Sequence, residues 1–386
     1  MKSIYLDSAA TTKPYEVVID TIHDVLFNEW ANPSSNNSES DRARFLIEKV
    51  RKQFAEDLNC SSEEIIFTGS GCESNSLAIM GFLWANLGFD LYISNLEHAS
   101  LNELTYSLSA HKERFQFIDN LQWISNDKQG LVSVKELEKC LANGKNKPLV
   151  SISAANSEIG SIQDIKALAE VVHRYSGIMH CDAVQLFPEQ RIDVKDWDVD
   201  MLSISPQKFG AGRGCGILYV KDGIKLSPII YGSQENHLRG GSYNTAAICA
   251  AGKALEITRS MSQKHIRELR NSLLDQLLKI PGTHLNGPEI GKRRLSNNIS
   301  LTIDGVDAEQ LVTLCDLYGI VIARGSACQS HEPTPSQALL ALGLSEEQAL
   351  NTIRITLGHD NTEKEIEQAA TIITKLVERV REDEQK

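Results

Sequence analysis

Short apolar runs rich in β-branched residues recur between residues 60 and 220, each bounded by glycine or polar residues. Glu64-Ile65-Ile66-Phe67-Thr68, Leu91 to Ser94, Leu149 to Ala154, Met179 to Asp182, Met201 to Ser205 and Gly216 to Val220 read as strands. Helical spacing fills the gaps at Ser74 to Leu87 and in the stretch after His98. Such alternation implies βαβ units, hence an α/β fold whose mostly parallel sheet carries helices on both faces. Ligands of these sheets sit at the strand C-termini. The polar residues fall there: Ser70 to Glu73, Asn156, Asp182 and Gln185, and Ser205 to Lys208.

After residue 258 the pattern changes. Long amphipathic stretches over 259–280 and 362–383 bracket a strand at Asn298 to Ile303 and a helix near Ala308 to Tyr318, as in a smaller α+β domain. The division expected is an N-terminal segment 1–15 packing with the small domain, a large domain 16–257 and a small domain 258–386. The terminal residues Arg381 to Lys386 are expected to fray into solvent. No internal repeat or low-complexity linker interrupts the chain.

Composition narrows the class. At 386 residues, 41% hydrophobic and 23% charged, the chain has the balance of a globular protein too long for one ordinary core. No window is long and apolar enough to span a bilayer, and Met1 to Asp7 lacks the apolar centre of a signal peptide, so a cytoplasmic protein is expected. A net charge of −12 disfavours direct nucleic-acid binding, which needs clustered Lys and Arg. The eight cysteines form no Cys-x-x-Cys pair, so neither a zinc site nor a disulfide framework is expected, and most should be buried small hydrophobes.

Chemistry enters with Asp182. A carboxylate closing a buried strand is costly unless donors or a cation meet it. It is either a helix N-cap or the partner of a protonated pyridine nitrogen, the contact that makes pyridoxal phosphate (PLP) an electron sink. Lys208 follows Asp182 by 26 residues and precedes the glycine-rich Gly210-Ala211-Gly212-Arg213-Gly214, a spacing that suits a Schiff-base lysine. Thr68-Gly69-Ser70-Gly71-Cys72-Glu73-Ser74 runs from strand to helix and would aim N–H groups and a helix dipole at a phosphate; it is not a Walker loop. His98 is placed either to stack on a flat cofactor or to serve as a buried structural residue. Cys328, in Gly325-Ser326-Ala327-Cys328-Gln329-Ser330-His331, sits among small and polar residues that suit a mobile segment. Arg324 and His331 are nearby positive charges that favour its thiolate. Arg354, inside an apolar strand, needs a planar anion: a substrate carboxylate or an internal salt bridge.

Taken together these residues resemble the cysteine desulfurases, a class V aminotransferase group of fold type I PLP enzymes. The resemblance rests on Tyr5-Leu6-Asp7-Ser8-Ala9-Ala10-Thr11-Thr12, Asn32-Pro33-Ser34-Ser35, Glu97-His98, Asn156-Ser157-Glu158-Ile159-Gly160, Asp182-Ala183-Val184-Gln185, Gly325-Ser326-Ala327-Cys328 and Arg354. It implies a mostly parallel seven-stranded sheet in the large domain, with the catalytic cysteine on a loop at about 324–335. It further implies that Lys208 holds PLP as a Schiff base, Asp182 pairs with the pyridine nitrogen, and Gln185 meets the phenolic oxygen. His98 would stack on the ring and move protons. Gly71, Cys72, Ser205 and Gln207 would hold the phosphate, with Ser242 reaching in from the second subunit of a homodimer. Asn156 and Arg354 would bind the carboxylate of L-cysteine, and Cys328 would take its sulfur as a persulfide, releasing L-alanine. Ser336 follows Cys328 by eight residues, similar to the branch with a long cysteine loop that hands sulfur to varied acceptor proteins.

This sequence departs from the family pattern at Gln207, which stands where a histidine is usual and follows Pro206, and at Cys72, which replaces a threonine. Asn37 and Ser40 replace a further His and Gly. The departures suggest a specialised paralogue. The other readings are an aminotransferase, a selenocysteine lyase and a non-catalytic binding relative. Acceptor pathways open to a desulfurase include iron–sulfur cluster assembly, tRNA thiolation and DNA phosphorothioation.

Overall fold

The computed structural model describes residues 3–110, 118–325 and 334–384. Its centre is a seven-stranded sheet of β2 (Ile65–Thr68), β3 (Phe89–Ser94), β4 (Ile118–Ile124), β5 (Lys147–Ser151), β6 (Ile178–Asp182), β7 (Met201–Ile204) and β8 (Gly216–Val220). The spatial order is β2-β8-β7-β6-β5-β3-β4. Strands β4, β3, β5, β6 and β7 are mutually parallel, and β8 runs antiparallel to both neighbours. Alternate residues along each strand feed opposite faces, as the two-residue period of a strand requires. Phe67, Val150, Cys181, Leu202 and Ile217 enter one core, while Ile66, Leu91, Leu149, Met201 and Leu218 enter the other. Both faces are therefore dry and covered by helices, which explains why the strands read as continuous apolar runs.

A second sheet, in the order β12-β13-β10-β9, is antiparallel throughout. It consists of β9 (Thr283–Leu285), β10 (Asn298–Ile303), β12 (Ala323–Arg324) and β13 (Thr352–Thr356). Leu269, Leu273 and Leu277 of the helix Lys264–Leu277 share its core with Ile373, Val377 and Val380 of the helix Glu363–Glu384. The N-terminal β1 (Ile4–Tyr5) pairs in parallel with β11 (Ile320–Val321), and Ile4 and Leu6 enter the same core.

Three expectations need correction. The helix read over 259–280 runs only from Lys264 to Leu277; Arg259 and Ser260 end a separate helix, Thr245–Ser260, because the chain turns extended at Met261. The strand read to Ala154 ends at Ser151, where the chain leaves the sheet toward Asn156. The C-terminal residues from Arg381 do not simply fray: the last helix runs to Glu384, and Arg381 donates to the carbonyls of Pro281 (2.7 Å) and Asp304 (2.8 Å). No described helix is long and apolar enough to cross a membrane. No described cysteine is disulfide-bonded; Cys181, Cys215, Cys249 and Cys315 are buried, Cys60 and Cys140 half-buried, and Cys72 exposed.

Candidate active site

The C-terminal ends of β2, β6 and β7 converge on one cleft. At the end of β2 the chain turns through Gly69 and Ser70 into the helix Gly71–Ser76, which continues through a π-helical turn (Leu77–Gly81) to Phe82–Ala85. Ser70 caps it by accepting from Glu73 N–H (3.1 Å). Glu73 reaches back to Gly69 N–H (2.8 Å) and is held by Arg239 (2.7 Å), which stiffens the turn. A Cβ on Gly71 would stand 3.0 Å from Ser205 Cβ and 3.2 Å from Val184, so only glycine lets the helix start press against the end of β7. The result is a helix N-terminus beside the buried Ser205 hydroxyl, a shape suited to an anion. Cys72 is exposed at its rim and Gln207 half-buried in the following turn; Ser242 is exposed beyond Arg239.

Asp182 closes β6 and is 5% exposed. Its oxygens accept from Val184 N–H (2.9 Å) and Asn75 Nδ2 (2.8 Å). No described Lys, Arg or His forms an ion pair with it. The N-cap reading is thus half right: the carboxylate does take a backbone donor, yet no helix begins here. Asn75 escaped the sequence reading, although it lies four residues after Gly71 and therefore on the same helix face. Lys208, at the end of the 3₁₀ turn Pro206–Lys208, is half-buried and donates from Nζ to the carbonyls of Ala9 (2.6 Å) and Ala10 (2.7 Å). Gln185 Nε2 donates to the same Ala9 carbonyl (3.1 Å). The segment Asp7–Thr12 therefore forms a wall of the cleft.

His98 accepts at Nδ1 from Ser100 N–H (3.1 Å), which leaves the proton of a neutral ring on Nε2. More than a third of its surface is open, yet the enclosing protein lowers its pKa by desolvation; the charge of Lys208 acts in the same direction and that of Asp182 against it. His98, Asp182 and Lys208 are thus within electrostatic reach of one another. Beneath them His180, wholly buried, bridges Ser151 (2.9 Å) and Ser203 (3.0 Å), and desolvation holds it neutral with a pKa of about 4.

Glu97 is buried beside His98 and accepts from Ser153 N–H (2.8 Å) and Oγ (2.5 Å). Desolvation, reinforced by the Asp182 charge and opposed by the Ser153 bonds, pushes it up to about 8. Between its ordinary value near 4.3 and 8 the folded chain keeps a proton that the unfolded chain has lost, so this residue makes stability fall as pH rises. Glu97→Gln is expected to gain on the parent by up to about 1.4 kcal/mol per pH unit from pH 5 to 8. Paired unfolding midpoints across that range check it, and a pH-independent difference rejects it.

Asn156 shapes a turn: Oδ1 accepts from the N–H of Glu158 (2.8 Å) and Ile159 (2.9 Å), and Nδ2 donates to Leu96 (2.9 Å), leaving one amide hydrogen for a ligand. Arg354, on β13, is 4% exposed. One Nη2 bond reaches Asp7 (2.6 Å), so the internal salt bridge exists, but the buried Nε has no partner among the described residues. Such an orphan donor is costly and fits a carboxylate that arrives with substrate. Arg324 pairs with Glu309 (3.1 Å). Cys328 and His331 lie outside the described residues, as does most of the loop expected at 324–335.

The Aminotransferase class-V family model matches residues 4–369. The cysteine desulfurase IscS of Methanosarcina thermophila is 33% identical, over 98% of this chain and 93% of the relative. A NifS-like protein from Rickettsia africae superposes with a TM-score of 0.87 at 33% identity, covering 97% of this chain and 99% of its own. SspA, solved in complex with cysteine, gives 0.79 at 30% identity, covering 92% and 99%. Members of this family depend on PLP, and the residues here fit it: a glycine-lined helix start for the phosphate, a buried carboxylate without a paired cation among the described residues for the pyridine N–H, and a lysine that acts on the same histidine as that carboxylate. The chain belongs to the class-V aminotransferase family, in its cysteine desulfurase group.

Proposed function

We propose that this protein is a PLP-dependent cysteine desulfurase that converts L-cysteine to L-alanine, keeps the sulfur as a persulfide on Cys328 and passes it to an acceptor protein. The observation that carries the reading is the juxtaposition of Asp182, Lys208 and His98 at one cleft, together with Arg354, which pairs with Asp7 of the cleft wall and whose buried Nε has no partner among the described residues. Bound PLP supplies an electron sink at the substrate's α-carbon. Lys208 attaches the cofactor, Asp182 keeps its ring nitrogen protonated, and Gln185 meets its phenolic oxygen. Gly71, Cys72, Ser205 and Gln207 hold the phosphate. His98, neutral with its proton on Nε2, moves protons at the reacting carbons. Asn156 and Arg354 grip the carboxylate. The substrate Cβ–S bond breaks as the new S–S bond forms at Cys328, and the carbon takes a proton, so cysteine and enzyme thiol become alanine and enzyme persulfide.

The test is incubation of PLP-loaded protein with L-cysteine: alanine should form, and the chain should gain the mass of one sulfur atom at Cys328. No alanine means no desulfurase. A faster turnover of selenocysteine would move the reading to a selenocysteine lyase. Arg354→Lys keeps a charge but loses the planar fork, and is expected to raise KM for cysteine about tenfold to hundredfold with a smaller effect on kcat; an unchanged KM removes Arg354 from the substrate site.

A homodimer is part of the same proposal. Leu26 and Phe27 of the helix Glu16–Asn28, Trp30 just beyond its end and Phe45 of the helix Ser38–Leu58 are 63 to 75% exposed, which suits a protein contact. Ser242 would then reach the partner's phosphate cradle. The net charge of −12 favours delivery of sulfur through an acidic-tolerant protein carrier in the cytoplasm over contact with nucleic acid, whether the end product is an iron–sulfur cluster, thiolated tRNA or DNA phosphorothioate.

A further inference from the structure

Glu158 is buried where three parts of the fold meet, and no role given above uses it. Its N–H is held by Asn156 Oδ1, and its carbonyl accepts from Asn298 Nδ2 (3.1 Å) at the start of β10. The side chain reaches into the smaller unit. Oε2 accepts from Ser336 Oγ (2.7 Å), and Ser336 also caps the helix Gln337–Ala341 by accepting from Leu339 N–H (3.3 Å). Oε1 lies against Gly325, where any Cβ would overlap it, and has no donor among the described residues. Gly325 directly precedes residues 326–333, and Ser336 follows them closely. Gly325 is also two residues beyond Ala323, which faces Arg354 across the β12–β13 pair.

Burial pushes this carboxyl up to about 7, against the Ser336 hydrogen bond and the charge of Arg354. An acid is costly here. Packing alone would be served by an apolar side chain, and the helix already has its own cap.

We infer that Glu158 is a positioning residue for the sulfur step, its carboxyl bonding Ser336 after the Cys328 segment and packing against Gly325 before it, next to the turn that carries Asn156. The inference rests on the desulfurase reading, and its test separates the two. In PLP-loaded enzyme, Glu158→Ala is expected to slow both alanine formation and single-turnover persulfide formation by about tenfold to hundredfold, the scale of an ångström-level misplacement. KM for cysteine and the cofactor absorbance should not change. Glu158→Gln, which can still accept from Ser336, should recover most of kcat. Ser336→Ala should lower kcat alone and add nothing in the Glu158→Ala background, where its partner is already gone.

A Glu158→Ala enzyme with the parent's kcat overturns the inference. So does a fall in kcat accompanied by a raised KM and lost cofactor, which is what a merely structural role produces. If Glu158→Ala gives no folded holoenzyme, Ser336→Ala decides, and an unchanged kcat there overturns it. Cys328→Ser is read alongside: turnover persisting in that variant removes the desulfurase reading itself, whereas turnover lost there with Glu158→Ala at full rate removes only the anchor.

Discussion

Replacing Cys328 with serine is expected to abolish alanine and sulfide release from L-cysteine while the visible absorbance of bound PLP stays. The active species of a cysteine is its thiolate, present at a few per cent near neutral pH even at an ordinary pKa of about 8.5, whereas a serine hydroxyl is essentially never ionised there. Oxygen also cannot hold the sulfur in a bond that a second thiol later breaks by exchange. The loss should therefore be at least about a thousandfold, as for removal of a covalent nucleophile. The residues that fit the cofactor, Asp182, Gln185, Lys208 and the Gly71 helix start, are untouched by the change, so spectrum and turnover separate cleanly. Parent-like alanine production in Cys328→Ser would remove the persulfide mechanism.

Lys208→Ala is expected to fail at the preceding stage. The amine at the end of the Pro206–Lys208 turn is held by the carbonyls of Ala9 and Ala10 and acts electrostatically on His98, which places it in the cleft against the N-terminal wall. Without it PLP has no covalent attachment, and the absorbance of lysine-bound cofactor should vanish along with at least about a thousandfold of kcat. Lys208→Arg should behave the same way, because a guanidinium keeps the charge but does not deprotonate to form the bond. A retained spectrum in either variant would mean that another amine carries the cofactor. The two experiments have opposite spectral outcomes and the same kinetic outcome, so together they order the steps.

The large sheet was readable because each inner strand is a short apolar run buried on both faces, a signal that survives without knowing its neighbours. Strand β4 was not read. It lies at the sheet edge, pairs with β3 alone among the described strands, and contains Asp119, Asn120 and Gln122, so its pattern is polar. The reversal of β8 was equally invisible, since direction depends on which strand a segment meets. The Ala-rich helix Thr245–Ser260, buried along most of its length, lacks the amphipathic stripe that marks a surface helix.

At the site, residue types and spacing pointed to Asp182, Lys208, His98, the Gly71 turn and Arg354, because each is chemically out of place in its local setting: an acid ending a buried strand, an arginine within an apolar one. Their partners were not legible. Asn75 meets Asp182 across 107 residues, Ala9 meets Lys208 across 199, Asp7 meets Arg354 across 347, and Ser336 meets Glu158 across 178. Sequence alone determined the α/β class and pointed to the kind of chemistry and to candidate reactive groups, because hydrophobic period and residue type are local quantities. Which carbonyls hold the lysine, which donor of the arginine is left over and which acid meets Ser336 were decided only by tertiary structure, since hydrogen bonding and desolvation act over a few ångströms between groups that the chain separates by hundreds of residues.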